Sequence, residues 1–120
     1  MVARQGDIFW AELRESTHPS GSTVRPCLIV QNNLFNRSRI NSVIVCAMTT
    51  NLNLARAPGN VLLEKGEGGL PKHSVVNVTQ VFSILKAELR QKIGSLPGAR
   101  LAQVLDGIDL VLKPSEVATH

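Results

Sequence analysis

The chain has 120 residues, of which 43% are apolar, enough to bury one core and too few for two, so a single domain over residues 1–120 is expected. Thirteen Lys and Arg against nine Asp and Glu leave a net charge of +4, a balance that suits a polyanionic partner without demanding one. No run approaches the ~20 apolar residues of a membrane span, and "MVARQGDIFW" lacks the apolar segment of a secretory leader, so no membrane association and a cytoplasmic location are expected.

In chain order, "DIFWAEL" (7–13) is short, aromatic-rich and preceded by Gly6, which makes it a strand, and the polar "RESTHPSGSTV" that follows makes a loop. "PCLIVQ" (26–31) and "SVIVCAMT" (42–49) are near-continuous β-branched runs too short for helices, so both are expected as central strands covered on both faces. Cys27 and Cys46 fall in these two runs. With no Cys-x-x-Cys or histidine spacing beside them they are expected as core fillers in a reducing compartment rather than a disulfide or a zinc site.

Between the two runs, "NNLFNRSRIN" (32–41) is an Asn-rich loop in which Arg37 and Arg39 point the same way if it is extended. "NLNLARAPG" makes a helical turn ended by Pro58 and Gly59, and "NVLLE" a short strand. After the Gly-rich loop "KGEGGLPKH", "SVVNVTQVFSI" (74–84) alternates, with Val76, Val78, Phe82 and Ile84 on one face. Leu101, Val104, Leu105, Ile108, Val111 and Leu112 follow the i, i+3, i+4 rhythm of an amphipathic helix after Pro97 and Gly98. Short strands, long polar loops and one terminal helix imply a mainly β fold, a small and strongly bent sheet or barrel.

No P-loop, G-x-G-x-x-G, H-E-x-x-H or G-x-S-x-G motif occurs, and no metal-ligand cluster is legible, so neither cofactor nor metal is expected. His18 lies in the first long loop, His73 at a strand entry and His120 near the end. The first 60 residues hold six arginines and no lysine, and arginine is the better phosphate fork. If the second and third strands pair as an antiparallel hairpin, Arg25 at the start of one comes beside Thr49 and Thr50 at the end of the other. Physics alone favours a solvated strand-end charge and an ordinary strand threonine there.

"GDIFWAEL", "RPCLIVQNNLFN", "VCAMTTN" and "GNVLLEKGEGGLPKHSVVNVTQVFSI" resemble, in order and over about residues 5–113, successive blocks of the MazF/PemK toxins. The resemblance implies a small SH3-like barrel of five to seven strands with a C-terminal α-helix. It also implies a homodimer that cuts single-stranded RNA without a metal, leaving 2′,3′-cyclic phosphate and 5′-hydroxyl ends, and that is neutralised by a cognate antitoxin.

The family's catalytic arginine of "RP" falls on Arg25 and its catalytic Thr or Ser on Thr49, with Thr50 the close alternative. His18 is added as a general acid or base from imidazole chemistry alone. Asn32, Asn36, Arg37, Arg39, Lys72, His73 and Gln80 join Thr50 as candidate RNA contacts. The acid of the family's first loop has no counterpart in "HPSGSTV", and its frequent arginine late in the sixth-strand block is Phe82 here. Two other readings remain open: a non-catalytic toxin of related fold that binds gyrase, and a simple RNA-binding barrel, which four aromatic residues and no Tyr equip poorly for stacking bases.

Overall fold

In a computed structural model of the chain, which describes residues 2–13 and 23–115, the β-branched runs are strands. β1 (Asp7–Leu13), β2 (Thr23–Ile29), β3 (Ser42–Thr49), β4 (Val61–Leu63), β5 (Ser74–Leu85) and β6 (Leu89–Ser95) are followed by the helix α2 (Gly98–Leu112), and a single helical turn, α1 (Asn33–Asn36), joins β2 to β3. The strands form one antiparallel sheet in the order β4-β5-β3-β2-β1-β6, curled into a half-barrel. The expected mainly β fold with a C-terminal helix is therefore what the chain adopts, with β4 and β6 as its edges.

Alternation along β2 and β3 sends their apolar residues to two different cores. Leu28, Cys46 and Met48 pack with Ile8, Val76, Val78 and Val104, under α2. Cys27, Ile29, Val43, Val45 and Ala47 pack with Phe9, Ala11 and Ile84 inside the curl. The two strands are thus covered on both faces, as their unbroken β-branched composition predicts. Both cysteines are free and buried. Burial pushes the Cys27 thiol up to about 12, against the opposing pull of nearby Arg25, and does the same to Cys46, so neither is a nucleophile at neutral pH.

Several expectations change in three dimensions. β5 does not hold one alternating face: opposite β3, Cys46 meets Val81 but Met48 meets Val76, so Ala47 alone stands against Asn77, Val78, Thr79 and Gln80. The bulge resets the alternation, and Val76 and Val78 join the core under α2 while Phe82 and Ile84 face the other. β6, "LRQKIGS", has no readable apolar alternation. It is tied to β1 through the buried Asp7 carboxylate, which accepts from the Ser95 hydroxyl (2.7 Å) and lies 3.4 Å from the Lys92 ammonium. The apolar stripe of α2 stops at Ile108; Val111 and Leu112 are exposed.

The Asn-rich loop is not extended. Asn32 caps α1, its side chain accepting from the Leu34 N–H at 2.8 Å. Asn36 is buried, not presented to solvent, which corrects its expected role as an RNA contact. Its Nδ2 donates to the Gln31 carbonyl (2.8 Å) and to Asn33 Oδ1 (3.0 Å), and its Oδ1 accepts from Gln31 Nε2 (2.9 Å). Both of its donors are used inside the protein, its oxygen already accepts, and burial keeps the amide away from a base.

Gly107 brings α2 onto the turn before β4, where a Cβ would overlap the Gly59 carbonyl oxygen and press on Val78. Exposed helical Gly→Ala changes stabilise by about 1 kcal/mol, but Gly107→Ala is expected to destabilise by about 1–3 kcal/mol through overpacking; a urea midpoint that rises would contradict this contact. Asn36→Ala orphans buried Gln31 groups and is expected to cost about 1–3 kcal/mol, read as a lower urea midpoint.

Candidate functional site

The β2–β3 ladder ends with Cys27 paired to Ala47; carried two residues past that pair, the register sets Arg25 toward Thr49, and both line one pocket. By the period of two, both belong to the face that carries Cys27, Ile29, Val45 and Ala47. At the rim, where the core residues give out, Arg25, Pro26, Met48, Thr49, Thr50 and Ser74 line a pocket of about 120 Å³. Drug-sized ligands occupy about 300–1,000 Å³. The site suits one compact group such as a phosphate.

Thr49 is held in a defined way. Its Oγ1 accepts from the Asn51 backbone N–H at 3.1 Å, which directs the hydroxyl proton toward another acceptor. The Asn51 side chain in turn accepts from the Asn53 N–H (3.2 Å), capping the 3₁₀ turn Leu52–Arg56. Arg25 is half-buried and Thr50 exposed. The structure thus brings together a guanidinium, two threonines and Ser74, which donates its hydroxyl to the Lys72 carbonyl at 3.0 Å. Ser74 and Asn51 were not singled out from the sequence: a serine opening a strand carries no signal, and only the T-x-N spacing of "TTN" hints at the turn that Asn51 closes.

Lys72 and His73 precede Ser74 directly and are exposed at this end of the sheet. His73 Nδ1 accepts from the Lys65 N–H at 3.3 Å, so its outer nitrogen is the one presented to solvent. Their loop is fastened to α2 by a bidentate pair: Arg100 Nε donates to Glu67 Oε2 (2.8 Å) and Nη2 to Oε1 (2.9 Å). The guanidinium holds the Glu67 carboxyl below its usual range. Gln80 is exposed on the β5 bulge opposite Ala47, two residues from Thr49.

Asn32, Asn36, Arg37 and Arg39 are not part of this pocket. They sit at the other end of the β2–β3 hairpin, and from Arg25 to Asn32 the chain runs seven residues, about 23 Å along a strand. The two arginines are exposed there, so they can meet only a distant part of a long polyanion. His18 lies outside the described residues. Phe82, where the resemblance leads one to expect an arginine, packs against the inner core. Among the described residues no group of three or more His, Cys, Asp or Glu side chains converges, and no helix is long and apolar enough to cross a membrane.

Comparison with known proteins agrees with this architecture. The family of PemK-like, MazF-like toxins of type II toxin–antitoxin systems matches residues 4–112. An endoribonuclease MazF6 of Mycobacterium tuberculosis (strain CDC 1551 / Oshkosh) is 36% identical over 93% of this chain and 98% of its own. An endoribonuclease MazF of Staphylococcus saprophyticus is 31% identical over 99% and 98%. A mycobacterial endoribonuclease solved in complex with its cognate antitoxin shares the fold, with a TM-score of 0.74 and 21% identity over 94% of this chain and 98% of that one. With its matched span covering the sheet, the rim pocket and α2, the chain belongs to the PemK-like, MazF-like toxin family of type II toxin–antitoxin systems.

Proposed function

We propose that this protein is a toxin-type endoribonuclease that cuts single-stranded RNA by attack of the RNA's own 2′-hydroxyl, with the scissile phosphate in the Arg25–Thr49 pocket. The observation that carries the reading is the convergence of a charged fork with a threonine whose hydroxyl oxygen already accepts a backbone N–H. A partner-binding toxin or a passive RNA-binding barrel requires no such constellation.

In this mechanism the 2′-oxygen loses its proton and bonds to phosphorus. The bond from phosphorus to the 5′-oxygen breaks, and that oxygen takes up a proton, leaving a 2′,3′-cyclic phosphate and a 5′-hydroxyl. Arg25 binds two non-bridging oxygens as charge accumulates on the phosphorane, and Thr49 donates one further hydrogen bond. Thr50 is the alternative donor. Arginine is a poor proton acceptor, so the proton transfers fall to His18, on its imidazole chemistry alone. No metal is assigned, because the nucleophile is supplied by the substrate and the charge is met by Arg25. Lys72, His73 and Gln80 flank the pocket and contact the neighbouring nucleotides, while Arg37 and Arg39 serve only RNA long enough to reach the far end of the hairpin.

Two partners are proposed as well, one at each end of the β2–β3 hairpin. Leu34 and Phe35 are 67% and 47% exposed on α1, an apolar pair suited to a second copy of the chain. The cognate antitoxin is an acidic, partly disordered chain that folds onto the basic loops and covers Arg25, excluding RNA.

Cleavage of a long RNA is expected to persist in EDTA, to yield 5′-hydroxyl ends, and to stop when the ribose on the 5′ side of the cut is replaced by deoxyribose, with binding nearly unchanged because phosphates dominate affinity. Arg25→Ala should lower kcat by about 10³-fold and Thr49→Ala by about 10²-fold, and His18→Ala should flatten the pH–rate profile. Cutting of the deoxy substrate, or full activity of Arg25→Lys, sinks the mechanism. Sedimentation at micromolar concentration should show a dimer that Leu34→Asp dissociates; a wild-type monomer, or RNA and antitoxin bound together without competition, would remove the partner proposals.

A further inference from the structure

The bulge in β5 leaves backbone groups without ladder partners close to the pocket, and one side chain from another element meets them. Asn60, in the turn before β4, accepts the Val78 N–H on Oδ1 at 2.9 Å, while its Nδ2 donates to the Leu54 carbonyl at 2.9 Å and lies 3.5 Å from Asn77 Oδ1. Its own N–H donates to the Ala57 carbonyl at 3.2 Å. Asn77 passes the connection on: its Oδ1 accepts from the Thr79 hydroxyl at 3.0 Å and its carbonyl accepts from the Cys46 thiol at 3.1 Å. Behind Asn60, Gly59 has φ +81° and packs against Gly107 of α2 and the Val78 side chain. The amide is therefore clamped between a helix and the bulge.

We infer that Asn60 is a positioning residue for base selection: by holding the Val78 peptide it sets the shape of the bulge, and with it the direction in which Thr79 and Gln80 meet an RNA base beside the scissile phosphate. The inference rests on the endoribonuclease reading above. Bulges re-aim side chains next to active sites, and here the residues on the outer turn are exposed, polar and free of apolar character. A Gln amide offers a donor and an acceptor together, the pattern that reads the edge of an unpaired base. Ala47, opposite the bulge, is two residues from Thr49, about 7 Å along the strand, so a base read there neighbours the nucleotide being cut. Asn60 itself touches no RNA; it acts through the backbone of β5.

The test maps the cut site of the full chain on a long mixed-sequence RNA. It then measures kcat/KM on a short oligonucleotide carrying that site and on versions with one base beside the cut replaced. The quantity read is the ratio of preferred to replaced substrate, which a loss of folded protein does not move. Asn60→Ala is expected to lower the ratio about fivefold, the lower end for loss of a base contact, and Gln80→Ala by as much or more. The double variant should fall by less than the product of the two single effects, because the first change acts in part through Gln80. Ile108→Val, a change in the core under α2, should lower the thermal midpoint and leave the ratio alone. Should Asn60→Ala not fold, Asn77→Ala carries the same expectation through the Thr79 bond. A ratio unchanged in a folded Asn60→Ala or Asn77→Ala, or effects of Asn60→Ala and Gln80→Ala that simply multiply, overturns the inference while leaving the cleavage reading intact. A wild-type chain that cuts no RNA overturns the cleavage reading and this inference with it.

Discussion

The antiparallel register between β2 and β3 is the constraint on which the site depends. Pairing Cys27 with Ala47 sets Arg25 toward Thr49 and, by the same ladder, carries the Asn32–Asn41 connection to the opposite end of the hairpin. A slip of one residue would turn Arg25 and Thr49 onto different faces and exchange the residues of the two cores, misfitting both. The packing resists that slip, because β2 and β3 are buried on both sides, with Leu28, Cys46 and Met48 under α2 and Cys27, Ile29 and Val45 inside the curl. The hydrophobic cores and the rim pocket are thus consequences of one pairing.

Around that hairpin, asparagine does most of the local fastening. Asn32 caps α1, Asn36 fills the space beneath it, Asn51 closes the turn that holds Thr49, and Asn60 meets the bulge in β5. In each case a short amide reaches backbone groups that the sheet leaves without partners, and such groups are costly to bury unpaired. An Asn-rich stretch such as "NNLFNRSRIN" carries polar side chains that read equally as ligands for a base and as caps for the chain's own backbone. Here Asn36 belongs wholly to the second class.

Charge follows a similar division. Arg100 is committed to Glu67 and pins the loop before β5 to α2, while Lys86 Nζ donates to the Asn36 and Ser38 carbonyls at 3.2 and 3.3 Å. Lys92 faces Asp7. These contacts fix cations in place within the fold and leave the net charge of +4 unchanged. Beside the pocket stand Arg25 and the exposed Lys72, a short positive rim rather than a broad basic face.

Much of the fold was legible in the residues, since each of its signals is local. The aromatic-rich run became β1 and the β-branched run 42–49 became β3 at the expected bounds, the run expected at 26–31 became β2 three residues earlier at its start and two earlier at its end, the 3.6-residue rhythm became α2, and two thiols without metal spacing became core. The conjunction of Arg25 with Thr49 was legible too, because a hairpin needs only two adjacent strands and a connection. β6 was not, since "LRQKIGS" has no apolar alternation and is a strand only because β1 offers it an edge and Asp7 an anchor. Nor were Ser74, Asn51 or the bulge that moves Val76 and Val78 to a different core from Phe82: these depend on which chain segments meet, and a residue's own sequence neighbours carry no record of partners that arrive from 17 or 31 positions away.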